Sequence, residues 1–500
     1  MSRLPNVVVP WPGAPHATPL ERDTLPDIMV NGVIIGGGPA GLAPLVSAGR
    51  SGALDEILAA GLTVVERGSA IGAGNIGGYA INSDSTAETI VNCVLENAHP
   101  LLAELRDHPA TRAVAAYGCN AAPLSLVGSF LTSVGAALHD LLSRTPGCAV
   151  LLRHEAIDTR QTRNGLWRTR LRRISDGVAR TILSRTVVLA TGGHQPAFRL
   201  EKHDVGGAPL LPRFAGKLLQ SNEALTAAGL DAIGERLSAT RRKRVVIVGS
   251  SSSALACAYA VLSTRHGRRF CADMVTVLHR RPLRVFYPSA AAAIAEGYDQ
   301  FGPDDICPIS GFVFRFAGFR LESRELVMAA LGIAGRQPEK RLRLHRLTEG
   351  PDPVAQAILE EADVIVAALG YRPRALPVFN PAGRLIPLQA SGFGARALVD
   401  EKCRVLDLAG EPIPGLLGIG LAAGFIYPKA AGGEPSFSGQ TNGLWQWQNN
   451  IGALVTDCVR ESARRVLANG GPRLTQLAPQ SRAQSLDEPS SQALPGRTLQ

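Results

Sequence analysis

VNGVIIGGGPAG, residues 30–41, decides how the rest of this chain is read. Val30, Val33, Ile34 and Ile35 predict a short buried strand. It runs into Gly36, Gly38 and Gly41, spaced G-x-G-x-x-G, and then into a helix that begins near Pro39 and Ala40. The first glycine permits a tight turn, the second lets a pyrophosphate approach the backbone, and the third lets the helix pack on the strand. The helix N-terminus offers unpaired N–H groups and partial positive charge to phosphates.

The partner of this motif lies downstream. An Ala/Leu-rich crossover helix is predicted over about 39–60, and a second strand over 63–65 ends in Glu66 and Arg67. A carboxylate at that spacing can accept hydrogen bonds from a ribose. Residues 67–90 are rich in glycine, then in Ser, Asn, Asp and Thr. Glycines allow backbone to approach a ligand closely, and a loop this long without regular structure is uncommon unless it has a function. A cofactor-lining loop, Tyr79 included, is therefore expected here, with an ordinary surface loop as the alternative.

Residues 241–281 repeat the opening device. The strand over 245–248 is followed by Gly249-Ser250-Ser251-Ser252-Ser253-Ala254, a helix, and a second strand over 274–278 that ends in His279-Arg280-Arg281. Such a duplication is expected when two nucleotides are bound. Ser251 holds the middle glycine position, which makes the pyrophosphate approach less close. Arg280 and Arg281 replace the acid, and guanidinium groups there suit a 2′-phosphate, favouring NADPH over NADH. The alternative is a solvated strand end.

Between and after the two units the reading is coarser. Residues 1–27 are a proline-bearing extended arm, and 91–145 are mainly helical. Strands are expected over 149–152, 167–171 and 181–189, the last closing on Ala190-Thr191-Gly192-Gly193. Phe312, Phe314, Phe316 and Phe319 suggest an alternating strand. Another buried strand runs over 363–369 into Leu369, Gly370 and Tyr371, and one over 416–419 carries Gly418, Gly420 and Gly424 nearby. A final helix is expected over 441–465. Residues 466–500, rich in Gln, Ser, Pro and Arg, are expected to be disordered.

Five hundred residues exceed one core, so two or three domains are expected. No run of about 18 uncharged apolar residues occurs, and the N-terminus lacks a signal-peptide layout, so no membrane span is expected. The eight cysteines are scattered without a C-x-x-C, which argues against a disulfide framework, a zinc site or a dithiol reductase and for a reducing, cytoplasmic compartment. The net charge of +10 is dispersed and aromatics are only 5%, so anionic nucleotides or small carboxylates fit better than nucleic acid. The oligomeric state is left open, a homo-oligomer included.

Four separated stretches together resemble the class B flavin monooxygenases, the family of flavin-containing monooxygenases, Baeyer–Villiger enzymes and microbial amine N-hydroxylases. Gly36-x-Gly38-Pro39-Ala40-Gly41 with Glu66 is similar to the family's FAD site. Ala190-Thr191-Gly192, with Pro196 soon after, resembles its ATG segment. Gly249-x-Ser251-x-Ser253-Ala254 resembles its G-x-G-x-S-A site for NADPH. Asp363-x-x-x-Ala367-Ala368-Leu369-Gly370-Tyr371 looks like the N-hydroxylase D-x-x-x-L/F-A-T-G-Y signature, with Leu369 in place of the threonine. The matches span roughly 30–460. No F-x-G-x-x-x-H-x-x-x-W stretch is present, which disfavours Baeyer–Villiger chemistry. Tyr79 to Ser85 loosely resembles the loop that sets an asparagine beside the flavin. On that match Asp84 takes the asparagine's place, and Asn82 is the counterpart under a small gap.

The resemblance implies an α/β fold with two Rossmann-like domains, the NADPH domain inserted in the FAD domain. The FAD domain would span 28–200 and 365–465, and the NADPH domain 201–364. It implies a monooxygenase that takes FAD, NADPH and O2. A flavin C4a-hydroperoxide would pass one oxygen atom to an amine or amino-acid nitrogen. An amine must be neutral to attack, so a carboxylate such as Asp84 would help by removing a proton. A solvated loop aspartate, or a cap on a helix over 87–95, is the plain alternative for that residue. Two other functions stay open: an FAD-dependent NAD(P)H oxidoreductase or oxidase without a stabilised oxygen adduct, and an FAD protein that has lost NADPH through Ser251. Tyr427, Trp445 and Trp447 are placed near the substrate pocket, with core packing the expected fate of both tryptophans.

Overall fold

A computed structural model describes residues 27–391, 397–428, 431–441 and 443–468. The arm over 1–26 and the tail beyond 468 lie outside the described residues.

Strand Ile28–Ile35 sits at the centre of a nine-stranded sheet. It pairs in parallel with Leu62–Glu66 on one side and with Ala179–Leu189 on the other. Leu62–Glu66 pairs onward with Ala149–Leu152, and the far end of Ala179–Leu189 takes Pro412–Gly418 in parallel. Val30 and Val33 are fully buried, as expected of a strand covered on both faces. Its one polar residue, Asn31, is satisfied by bonding the Val459 carbonyl on the final helix. A meander of His154–Gln161, Trp167–Arg173 and Ala179–Leu189 extends the sheet antiparallel. Its first strand escapes the sequence reading because polar residues fill it.

The second sheet has five parallel strands in the order Leu218–Gln220, Val364–Ala367, Val245–Val248, Val275–His279, Leu342–Arg346. Its own apolar cluster packs on both faces. The strand Val364–Ala367 belongs to this sheet, so the expected boundary between 364 and 365 cuts through a strand. The return to the first sheet comes at Val378–Phe379, which pairs with His154–Gln161.

Several local expectations are corrected. The crossover over 39–60 is two helices, Pro39–Arg50 and Leu54–Ala59, broken at Gly52, whose φ is +69°. The 67–90 stretch is not free of regular structure: it holds a 3-10 turn, Ile76–Gly78, and a strand, Asn82–Thr86, paired with Ala121–Pro123. Residues 312–319 form no strand. Phe314 has φ +47° and packs with Tyr287 and Tyr298 in the second core, so burial of the rings outweighs extended pairing. The final helical stretch is interrupted by a π-turn, Trp447–Ile451, before Gly452–Ala468. Trp447 is buried in the first core, whereas the side chain of Trp445 lies outside the described set. Among the described residues one helix, Leu124–Arg144, is long and apolar enough to cross a membrane. One face of it, with Phe130, Val134 and Leu138, is buried in the first core.

A strap and a latch help to fasten the domains. The strap over 79–86 makes a bridge between Tyr79 and Thr226, and Ala80 N–H donates to the Leu225 carbonyl at 2.8 Å. A latch joins 304–317 to 431–437. In it Ser436 Oγ donates to Asp305 Oδ1 at 2.6 Å, and the N–H groups of Phe316 and Ala317 donate to Glu434. Gly433 N–H donates to Cys307 Sγ at 3.2 Å. Burial raises the thiol pKa of Cys307, but hydrogen bonds from Ser310, Gly433 and Ile309 outweigh it and bring it from 9.0 to about 6. A thiol that titrates lower in the folded chain stabilises fully above its unfolded value and loses that contribution as pH falls through the folded one. Urea midpoints are therefore expected to rise from pH 6 to pH 9 more steeply in the parent than in Cys307→Ala. Parallel curves would show that the latch does not hold a thiolate.

Candidate functional site

Both glycine turns sit at the carboxyl ends of their parallel strands, where open α/β sheets bind ligands. In the first, Gly36 has φ +104°, and a Cβ there would lie 2.3 Å from the Ala190 carbonyl oxygen. A Cβ on Gly41 would lie 1.8 Å from the Gly36 oxygen, so the helix rests directly on the turn. At Gly38 the surroundings are open: a Cβ would meet nothing nearer than Gly74 Cα at 3.6 Å. Gly38 is the N-cap of Pro39–Arg50 and contributes no side-chain cap, which leaves the first-turn N–H groups for a ligand. These residues fit a dinucleotide: the turn is tight where it must be and open where a phosphate would enter.

The rest of this cradle assembles around it. Gly37 N–H donates to Glu66 Oε2 at 2.7 Å and Gly68 N–H to Oε1 at 2.6 Å, so the carboxylate is held in place while further lone pairs stay available. Gly420, with φ +117°, brings its backbone against Ala40. Arg67 is exposed beside Glu66 and lies within electrostatic range of Arg374. Thr191 Oγ1 donates to the Arg374 carbonyl at 2.6 Å, and Arg374 N–H donates to that of Gly192 at 2.9 Å. These bonds lie at the crossing between domains, where Gly193–His194 pairs with Arg372–Pro373.

The second cradle is built alike. Gly249 has φ +148°, and a Cβ there would lie 2.6 Å from the Ala368 carbonyl. Ala368 is thus the counterpart of Ala190, and Leu369-Gly370 of Thr191-Gly192; Gly192 and Gly370 both have positive φ. Leu369 lacks the hydroxyl that Thr191 uses, and its carbonyl accepts from Arg199 instead. Asp363, at the other end of the signature, accepts the Arg244 N–H at 2.9 Å and joins two strand starts. Ser251 is the exposed N-cap of Ser252–Ser263 and makes no side-chain cap, while Ser250 and Ser253 are half-buried. The serine at the middle position therefore leaves the helix start open.

Arg280 and Arg281 are both exposed at the strand end. Arg280 donates to the Asp204 carbonyl, while His279 Nδ1 engages the Arg281 carbonyl at 2.9 Å. Sequence reasoning missed Arg346, which pairs in register beside His279 on the next strand. Its only signal was parallel pairing between elements far apart in sequence. Replacing Arg280 and Arg281 together by alanine is expected to raise the KM for NADPH about 10–100-fold, as loss of charge-assisted hydrogen bonds does. The KM for NADH should change less than threefold. Equal losses would show that these arginines do not read the 2′-phosphate.

The strap carries both predicted catalytic residues, and the structure separates them. Asn82 Nδ2 donates to Glu322 Oε1 at 2.5 Å, in a cavity of about 250 Å³ shared with Tyr259 and Ser263. Asp84 instead faces Arg320. Its side chain keeps solvent access but is crowded by protein; burial raises its pKa and the Arg320 guanidinium opposes that rise. It is not a helix cap, because Thr86 is the N-cap of Ala87–Leu95. Tyr79, half-buried, bonds Tyr371, whose pKa is raised first by burial and then by Tyr79. Tyr427 lies 5.3 Å from the Phe316 ring and accepts from Asn450 on the π-turn. Phe316, Glu434, Arg315 and Arg320 join Asp84 and Tyr427 at this seam, and none of those four was singled out from the sequence as a site residue.

Residues 30–302 match the family model described as pyridine nucleotide-disulphide oxidoreductase. The chain belongs to that family. Its eight cysteines are free, so the disulphide chemistry in the family's description has no paired thiols here. A CMP-5′-(3-aminopropyl)phosphonate hydroxylase from Streptomyces rubellomurinus is 32% identical over 441 residues, covering 85% of this chain and 95% of the relative. A solved cadaverine monooxygenase from Erwinia amylovora, bound to FAD, is similar in fold. Its TM-score is 0.50 at 11% identity, covering 93% of this chain and 100% of that one. The chain is thus an oxidoreductase of the pyridine nucleotide-linked kind.

Proposed function

We propose that this oxidoreductase is a flavin-dependent monooxygenase that uses FAD and NADPH and N-hydroxylates a small primary amine or amino acid. Gly36, Gly38, Pro39, Ala40, Gly41, Glu66, Arg67, Tyr79, Thr191, Gly192 and Gly420 would line the FAD side. Gly249, Ser250, Ser251, Ser253, Arg280, Arg281, Leu369 and Gly370 would line the NADPH side. We divide the chain at the crossing formed by Gly193–His194 and Arg372–Pro373. The reading rests on one observation: two equally built, uncapped helix starts, joined by a strap that carries Asp84 to the second domain.

When bound, NADPH supplies a hydride, and FAD delivers one atom of O2 to a nucleophile. The chain's own tasks are to bind, orient, exclude water and move a proton. Glu66, fixed by two backbone donors, holds a ribose at a set position. Asp84 takes the proton from the alkylammonium, since only the free amine has a lone pair to give. A carboxyl with a raised pKa is a stronger base than an ordinary aspartate, which suits it to that step. We place the enzyme in the cytoplasm, where its free thiols stay reduced.

The test is anaerobic reduction by NADPH, followed by turnover in air with an amine. Amine-dependent NADPH oxidation that yields a hydroxylamine supports the reading. Peroxide formed in step with all the NADPH used, and no hydroxylamine with any amine, would return it to an oxidase or dehydrogenase.

A further inference from the structure

The strap's Asn82 has no part in the proton transfer proposed above. Its Nδ2 donates at 2.5 Å to Oε1 of Glu322, which lies 240 residues later in the first turn of the helix Leu321–Leu331. Tyr259, on the helix Ser252–Ser263, bonds both Glu322 and Ser263 through its hydroxyl, and its pKa is raised first by burial and then by the Glu322 charge. Three elements far apart in the chain thus bring polar groups to one carboxylate. Beside it lies the cavity of about 250 Å³, walled on its apolar side by Ile81, Leu230 and Ala260.

A glutamate in the first turn of a helix is ordinary, because the helix dipole favours it there. Neutral donors that converge on it beside a void are not. Asn82 and Tyr259 use two of the roughly four lone-pair sites of a carboxylate, which leaves room for further donors. Neither of them carries charge. The arginines that flank Glu322 in the chain are engaged elsewhere. Arg324 pairs with Glu296 and Glu325, while Arg320 lies over the Phe286 ring and the charge that acts most on it is Asp84. Among the described residues that line the cavity, Glu322 is the one charged side chain.

We infer that this cavity binds a small alkylammonium ion, at a site separate from both cradles and from Asp84, and that filling it fastens the strap to the second domain. The ammonium supplies charge-assisted donors to Glu322, and a short alkyl chain lies against Ile81, Leu230 and Ala260. The volume is below the roughly 300 Å³ at which pockets for drug-sized ligands begin, so the ligand is small. Tyr259 and Ser263 lie eight and twelve residues beyond the N-cap Ser251, which places the site about 12–18 Å along that helix from the second cradle. Asn82 and Asp84 share the strand Asn82–Thr86, so an occupant that holds Asn82 and Glu322 together also restrains Asp84.

The test uses the FAD-loaded full chain, with n-butylammonium chloride as probe and n-butanol as its uncharged analogue, titrated by calorimetry at neutral pH. The parent is expected to bind the ammonium at least tenfold more tightly than the alcohol. Glu322→Gln keeps an oxygen for Asn82 and should weaken ammonium binding about 10–100-fold, as loss of hydrogen bonds to a charged group does. Leu230→Trp, which fills the cavity, should abolish it, and Asp84→Asn should keep it. Hydrogen exchange of the strap amides should slow when ammonium is added to the parent but not to Glu322→Gln. Flavin content and Tm, followed in each variant, separate loss of the site from loss of the fold. No binding to the parent, equal affinity for the alcohol, equal binding to Glu322→Gln, or loss in Asp84→Asn in place of Glu322→Gln overturns the inference. Unchanged strap exchange at saturating ammonium overturns the fastening. A kinetic arm distinguishes the substrate amine from a second amine as the natural occupant. A non-hyperbolic rate dependence on the amine substrate that becomes hyperbolic in Glu322→Gln assigns the site to the substrate. Hyperbolic curves in both, with calorimetric binding intact, assign it to a second amine. That arm alone rests on the amine-hydroxylase reading, so binding and exchange stand or fall separately from it.

Discussion

Gly36→Ala is expected to yield a folded protein that purifies without flavin, and Gly249→Ala one that is yellow but resists reduction by NADPH. Both glycines hold a positive φ that costs an L-residue roughly 1–3 kcal/mol. Space is the larger obstacle. An alanine methyl at 36 would sit 2.3 Å from the Ala190 oxygen, and one at 249 would sit 2.6 Å from the Ala368 oxygen. In each case the partner is backbone at the end of a neighbouring parallel strand, which cannot swing aside as a flexible side chain would. The turn must move, and the helix start moves with it away from the phosphates. The NADPH-dependent reduction rate of Gly249→Ala at fixed cofactor is expected to fall at least tenfold, the equivalent of about 1.4 kcal/mol. The pair provides its own control, because each variant leaves the other cradle intact. NADPH binding retained by colourless Gly36→Ala separates a local defect from global unfolding. A Gly249→Ala protein bleached at the parent rate would mean that the electron donor sits elsewhere.

Asp84→Asn is expected to lose N-hydroxylation by two to four orders of magnitude while gaining thermal stability above neutral pH. The size of the loss is what removing a general base typically costs. The pH dependence follows from the direction of the shift. Burial raises the folded-state pKa above the unfolded one, so the neutral acid fits the fold better than the carboxylate. Stability linked to this group is complete at pH below the unfolded value and declines as pH rises through the folded value. Asparagine cannot ionise, so the variant should melt higher than the parent at pH 8, and the difference should vanish near pH 4. Activity runs the other way: the parent's rate should rise with pH as the carboxyl ionises, and Asp84→Asn should lose that limb. A variant that is destabilised at every pH would make Asp84 a structural residue of the strap. Gain of stability with loss of rate is the signature of a strained functional group.

Much of this protein was legible from short stretches. Each cradle is one β-α-β unit of some forty residues, and its strand, turn and helix obey local rules. Apolar runs bury, glycine takes the positive φ, and in the first cradle proline opens the helix at its first turn. Residues 30–66 and 245–279 could be read for that reason, and the acid at one second-strand end against the arginines at the other is the ground on which we propose FAD for the first cradle and NADPH for the second. Even the Ala190-Thr191-Gly192 and Ala368-Leu369-Gly370 segments announced themselves as strands closing on a small-residue turn.

Only tertiary structure decided the seam. Asn82 meets Glu322 from 240 residues away, Phe316 meets Glu434 from 118, and Cys307 meets Gly433 from 126. No period or motif encodes such pairs; they exist because two separately folded sheets present loops to the same crevice. The phenylalanines over 312–319 show the same limit. Their alternation suggests a strand, yet only isolated bridges form there, and the rings pack in different places: Phe314 on Tyr298, Phe312 on Phe286 and Phe316 on Tyr427. Local sequence determines each nucleotide cradle because hydrogen bonds and sterics within one unit suffice to build it. The place where Asp84, Arg315 and Arg320 converge depends on burial and charge summed over both domains, and that sum exists only once the chain has closed on itself.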